Sequence, residues 1–123
     1  MLYYHTSRRL SIVIPVLNSE KTLPACLAAI AAQTLPRTDY EIVIADAGSS
    51  DNTVAIARAA DVDVITANPL RTGEAGKTAG IKVAHGELIA LVDSDNILPD
   101  PTWLARMLAP FADPDVLATE PLS

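Results

Sequence analysis

Four short runs of aliphatic and β-branched residues recur along the chain: "SIVIPVL" (11–17), "EIVIAD" (41–46), "VDVITA" (62–67) and "ELIALVD" (87–93). Each is nearly continuous in apolar character, which suits a strand buried on both faces of a parallel sheet. Helical patterns separate them. Leu23, Cys26, Leu27 and Ile30 follow the i, i+3, i+4, i+7 stripe of an amphipathic helix, with Ser19 upstream as a cap. "SSDNTVAIARAA" opens with cap-type residues, Asp51 among them, and then turns apolar. "GKTAGIKVAHG" is interrupted by Gly80 and stopped by Gly86. "DPTWLARMLAPF" carries Asp100 at the N-cap and Pro101 at the first helical position, with Trp103, Leu104, Met107, Leu108 and Phe111 as its buried face. The order βαβαβαβα, with "DVLATEPLS" opening a fifth strand, predicts an α/β fold: a doubly wound, mostly parallel sheet of Rossmann-like βαβ units.

The chain of 123 residues has room for a single domain, 1–123. It is 50% hydrophobic but only 4% aromatic, so Ala, Val, Leu and Ile must build the core. No apolar run approaches the ~20 residues of a membrane span, and "MLYYHTSRRL" lacks the layout of a signal peptide. The expected location is the cytoplasm, with the inner face of a membrane as a variant. A net charge of −6 argues against a nucleic-acid surface. A phosphorylated ligand stays compatible, because a divalent cation reverses the local sign. Cys26 has no partner for a disulfide and reads as inert core. His5 and His85 have no ligand-spaced partners and read as surface or helix-end residues.

"RTGEAGKTAG" (71–80) imitates a phosphate cradle. A P-loop requires G-x-x-x-x-G-K-[ST], and the position five before Gly76 is Arg71. The loop is two residues short, so a nucleotide site of that kind is excluded. Arg71 and Lys77 keep the capacity to meet a diphosphate as point charges.

Ligands of doubly wound sheets bind beyond the carboxyl ends of the strands, near the reversal of strand order. "PVLNSE", "DAGSSDNT" and "DSDN" stand at those ends. In extended chain Asp93 and Asp95 point the same way, which places two carboxylates at one mouth. Two hard oxygen ligands with open positions suit Mg²⁺ or Mn²⁺ shared with phosphate oxygens. Asp46 ends the second strand with Gly48 behind it, where backbone can approach a ligand closely.

"SIVIPVLNSEKTLPACLAAIAAQT", "YEIVIADAGSSDNTVAIA", "GEAGKTAGIKVAHGE" and "LIALVDSDNILPDPTWL", in this order, resemble family 2 glycosyltransferases of the GT-A fold, over about residues 10–115. The resemblance implies transfer of a sugar from a nucleoside diphosphate donor, UDP- or GDP-linked, with Mg²⁺ or Mn²⁺. It places Pro15 and Asn18 at the nucleoside and Asp46 on the base or ribose. Lys77 falls in a stretch passing the donor, Asp93 near the ribose, and Asp95 (with Asp93) on the metal. Two departures stand out. Ala47 occupies a position where many members carry a second acid. The acceptor half and its catalytic base, which follow this region in the family, are expected to be absent, leaving a donor-binding half with little or no transfer activity. Asp100, Asp113, Asp115 and Glu120 read as cap and loop residues.

Two other classes compete. A receiver-like signalling domain is also doubly wound, but needs an acidic pair after strand one and an Asp after strand three, where this chain has "PVLN" and "TANP". A non-catalytic scaffold would self-associate through an uncovered sheet edge supplied by the residues after Asp115, giving a homodimer.

Overall fold

The computed structural model describes residues 10–120. The elements are β1 (Leu10–Val16), α1 (Leu23–Ala31), β2 (Tyr40–Asp46), α2 (Thr53–Ala59), β3 (Val64–Ala67), α3 (Gly73–Val83), β4 (Leu88–Leu91) and α4 (Trp103–Leu108). All strand pairs are parallel, in the order β3-β2-β1-β4.

This order dictates where the helices lie. From β1 to β2 to β3 the chain steps in one direction, so right-handed crossovers put α1 and α2 on one face. From β3 it returns past β2 and β1 to β4, and the same handedness puts α3 on the other face. Strand order reverses between β1 and β4, the point at which a crevice opens in sheets of this class.

Alternation along the two central strands serves both layers. Leu10, Ile12, Ile14 and Val16 of β1 join Tyr40, Ile42 and Ile44 of β2 in a core completed by Leu23, Cys26, Leu27 and Ile30 of α1, Ala57 of α2 and Leu104 of α4. Each fully buried Leu or Ile contributes about 1.5–3 kcal/mol relative to exposure. The other face holds Ser11, Val13 and Pro15, over which α3 passes at short range. A Cβ at Gly80 would lie 2.3 Å from Val13 Cγ1, and one at Gly76 2.8 Å from Pro15 Cβ. Gly80 therefore does not interrupt the helix; it is the contact that lets an eleven-residue helix lie against β1.

Several expected boundaries move. α3 starts at Gly73, because Thr72 Oγ1 accepts the Ala75 N–H at 3.1 Å and fixes the first turn there. β3 begins at Val64 because the Asp63 carboxylate, rather than a strand neighbour, accepts the Ile42 N–H at 2.7 Å. Ser19 does not cap α1 with its side chain; its carbonyl accepts from the N–H groups of Thr22 and Leu23. Asp51 does cap its turn, accepting from Thr53 N–H at 2.9 Å. Asp100 accepts likewise from Thr102 N–H, but α4 starts at Trp103 behind Thr102, so Asp100 and Pro101 belong to the turn before the helix and not to its N-cap and first position. Residues 115–120 form no strand. Thr119 Oγ1 donates to the Met107 carbonyl of α4 instead of a ladder, so the described sheet ends at β4. His5 lies outside the described residues.

No described helix is long and apolar enough to cross a membrane.

Candidate functional site

Three loops converge at the carboxyl ends of the strands, and the loop after β1 is their hub. Asn18 has a left-handed backbone, φ 48°, a conformation that Asn tolerates better than most residues. Its N–H donates to Ser49 Oγ at 2.9 Å, and its Oδ1 accepts the Ser50 N–H at 2.8 Å. The adjacent Ser19 N–H donates to Thr53 Oγ1 at 2.7 Å, while Glu20 N–H donates to Asp51. On the opposite side Ser94 Oγ donates to Ser19 Oγ at 3.2 Å. One hydrogen-bond network thus spans the switch point, from the β2–α2 loop to the turn after β4.

Asp46, the last residue of β2, is half-buried at this end. Its Oδ1 accepts Ser49 Oγ at 2.6 Å and the Ser49 N–H at 3.2 Å, while Oδ2 lies 3.3 Å from the same N–H. Ser49 therefore relays between Asn18 and Asp46, which the structure brings together. Asp46 lines a groove of about 430 Å³ with Ala47, Gly48, Arg58, Asn68 and Arg71. Gly48 adopts φ 96° as the chain leaves β2. The buried Asn68 steadies the far wall through its N–H to the Asp46 carbonyl (2.8 Å) and its Nδ2 to the Thr72 carbonyl (2.9 Å).

Asp93 and Asp95 lie on a turn rather than on extended chain. β4 ends at Leu91, the Asn96 N–H donates to the Asp93 carbonyl at 2.9 Å, and the Asp93 N–H donates to Asn96 Oδ1. The i, i+2 argument for a shared direction therefore gives way to a turn closed by the Asn96 side chain. Both carboxylates are exposed, and among the described residues neither forms an ion pair. No group of three or more His, Cys, Asp or Glu side chains capable of holding a metal occurs among the described residues. The donor set fits a hard cation that takes one or two carboxylates here and its other oxygens from phosphate and water. Beneath the turn, Cys26 Sγ lies 3.7 Å from the Asp93 carbonyl oxygen. Burial first, and the Asp95 charge second, push this thiol up to about 11.

Pro15 and Lys77 lie on the α3 side of the sheet. Pro15 packs against Gly76 of α3, and the half-buried Lys77 pairs with Glu74 at 3.1 Å. Neither lines the groove at Asp46. Sequence reasoning missed Ser49, Arg58 and Asn68. For Asn68 the "NP" dipeptide was an available signal, since Asn-Pro favours a turn; Ser49 and Arg58 carry none without the fold.

Residues 11–119 match the model of Glycosyl transferase family 2. The chain belongs to this family. Glycosyltransferase AglE of Haloferax volcanii is 32% identical over 101 residues, 78% of this chain and 33% of the relative. The mannosyltransferase PcManGT from Pyrobaculum calidifontis, solved with GDP-Man and Mn²⁺, superposes with a TM-score of 0.77 at 28% identity, covering 90% of this chain and 34% of that one. S. aureus TarS 1–349, solved with UDP, superposes at 0.71 with 29% identity, covering 86% and 32%. The chain spans about a third of the length of these relatives. Its sheet and helices have the GT-A architecture of those glycosyltransferases.

Proposed function

We propose that the chain is the donor-binding part of a metal-dependent glycosyltransferase that takes a nucleoside diphosphate sugar. The observation that carries this reading is the hydrogen-bonded continuity, through Ser19 and Ser94, between the loop holding Asn18 and Asp46 and the turn holding the unpaired Asp93 and Asp95. A nucleotide laid across the switch point meets both ends of that network. The UDP bound to TarS and the GDP-Man with Mn²⁺ bound to PcManGT support it by kinship.

In this assignment Asp46 contacts the base or ribose, with Pro15 and Asn18 shaping the nucleoside end. Asp93 lies toward the ribose, Asp95 with Asp93 holds Mg²⁺ or Mn²⁺, and Lys77 faces the passing donor. When bound, the cation neutralises the diphosphate and stabilises it as leaving group. The protein's own share is orientation: a fixed β1 loop and a closed acidic turn hold the donor's two ends without rearrangement. The acceptor and the catalytic base are not assigned to residues of this chain.

The test is calorimetric titration of UDP, GDP and their sugar conjugates with and without Mn²⁺, on the wild type and Asp95→Ala. Metal-dependent binding that disappears in Asp95→Ala is expected. Absence of binding by every nucleotide, or equal binding by the variant, overturns the proposal.

A further inference from the structure

The side chain of Ser94 points the opposite way from its neighbours. Ser94 is half-buried between the exposed Asp93 and Asp95, so its hydroxyl turns into the protein while the two carboxylates face out. Its partner is the buried Ser19, whose hydroxyl has one proton to give and two lone pairs to offer. All three are in use. Ser19 Oγ donates to the Leu17 carbonyl at 3.4 Å, and accepts the Leu17 N–H at 3.3 Å and the Ser94 hydroxyl at 3.2 Å. With its proton spent, Ser19 can only accept from Ser94, and the contact has a single sense.

Among the described residues this is the one hydrogen bond between the acidic turn and the loop after β1. The turn's other hydrogen bonds lead elsewhere: Asn96 closes it on itself, and the Cys26 thiol reaches the Asp93 carbonyl from α1. Ser19 in turn is fixed by its N–H on Thr53 Oγ1, next to Asn18, which holds the β2–α2 loop through Ser49 and Ser50.

We propose that Ser94 is a positioning residue through which cation and nucleoside communicate, so that each binds more tightly beside the other even where the two do not touch. The inference rests on the reading that a nucleoside diphosphate sugar binds at this end of the sheet. A ligand that fixes the β1 loop fixes Ser19 Oγ, and through it the direction of Ser94 and of the two acids flanking it. A cation then meets carboxylates already oriented. Linkage makes the effect reciprocal. In a nucleotide the diphosphate would also join the two ends directly. A nucleoside without phosphates cannot, and isolates the route through the protein.

The experiment measures Mn²⁺ affinity from the paramagnetic resonance of the free ion, alone and with uridine, guanosine, UDP or GDP, for the wild type, Ser94→Ala and Ser94→Thr. In the wild type one of the two nucleosides is expected to tighten Mn²⁺ roughly two- to tenfold, the worth of about one hydrogen bond. Ser94→Ala abolishes that gain, and Ser94→Thr, which keeps the hydroxyl, retains it. Simple damage to the turn would instead weaken Mn²⁺ equally with and without nucleoside, leaving the gain in place. That result overturns the coupling. So does a wild type that binds UDP or GDP with Mn²⁺ but shows no gain from either nucleoside, and in both cases the donor site stands. Failure of every nucleotide to bind overturns the donor-site reading and this inference together.

Discussion

The thiol of Cys26 lies 3.7 Å from the backbone carbonyl oxygen of Asp93, so the buried stripe of α1 forms the floor of the acidic turn. Burial and the neighbouring Asp95 charge raise the thiol to about 11, which keeps it protonated and unreactive at neutral pH. Alkylation of the native protein is expected to be slow and to speed up on unfolding. Asp95→Asn removes the smaller of the two causes, so the pH profile of alkylation shifts modestly toward lower pH. An unmoved profile would separate the thiol from the acidic turn.

Gly80→Ala sets two effects against each other. Alanine gains about 1 kcal/mol of helix propensity, but its Cβ would lie 2.3 Å from Val13 Cγ1. Val13 is fully buried in the central strand, so relief requires α3 to move off the sheet. Overpacking of this kind costs about 1–3 kcal/mol, and the balance falls on destabilisation. Urea denaturation is expected to show a lower midpoint for Gly80→Ala, whereas Gly73→Ala, with open space around the added methyl, holds or raises it.

These two residues also show what the sequence could and could not express. The element order was legible because central strands covered on both faces must be nearly continuously apolar, as β1 and β2 are apart from Ser11, Glu41 and the terminal Asp46. Gly80 was misread because propensity describes a helix alone, and its meaning lies in Val13, far away along the chain. The ends of β3 and β4 were overdrawn for a related reason. Apolar content does not say whether a backbone N–H finds a ladder partner or a side chain, and at Asp63 and Asn96 side chains intervene. At the site, Asp46 and the Asp93–Asp95 pair announced themselves as carboxylates after apolar runs. Their supporting residues did not, because Ser49 and Ser94 are ordinary turn serines until the fold places them beside Asp46 and Ser19.

Asn18→Ala is expected to damage both stability and nucleotide binding. The substitution removes the Oδ1 acceptor of the Ser50 N–H and puts at φ 48° an alanine, which tolerates the left-handed region less well than asparagine. The lost hydrogen bond, with the poorer fit of alanine to this backbone, costs about 1–3 kcal/mol. Asn18→Gly relieves the backbone but not the lost acceptor, so it restores only part of the thermal midpoint. If the clip between loops matters for the donor, Asn18→Gly still binds nucleotide more weakly than wild type at a temperature where both are folded.

The end of the sheet opposite the site holds a buried acid that no part of the donor reading uses. Glu41 accepts the Ser11 hydroxyl at 2.6 Å, the His85 N–H, and the His85 ring at 3.1 Å, while Gly86 N–H donates to Ser11 Oγ. Burial pushes the Glu41 carboxyl up, but the His85 N–H, the Ser11 hydroxyl and the His85 ring together outweigh it, and the group lies below its ordinary 4.5. A carboxyl depressed on folding adds stability above its unfolded value, and that stability is lost as pH falls through the folded one. Wild type should therefore lose stability as pH drops from neutral into the range below 4.5. Glu41→Gln cannot lose that contribution, so its deficit against wild type should shrink with acidification. Urea midpoints measured across that range decide it: a constant gap would mean that Glu41 serves by shape and hydrogen bonding alone, with its charge contributing nothing.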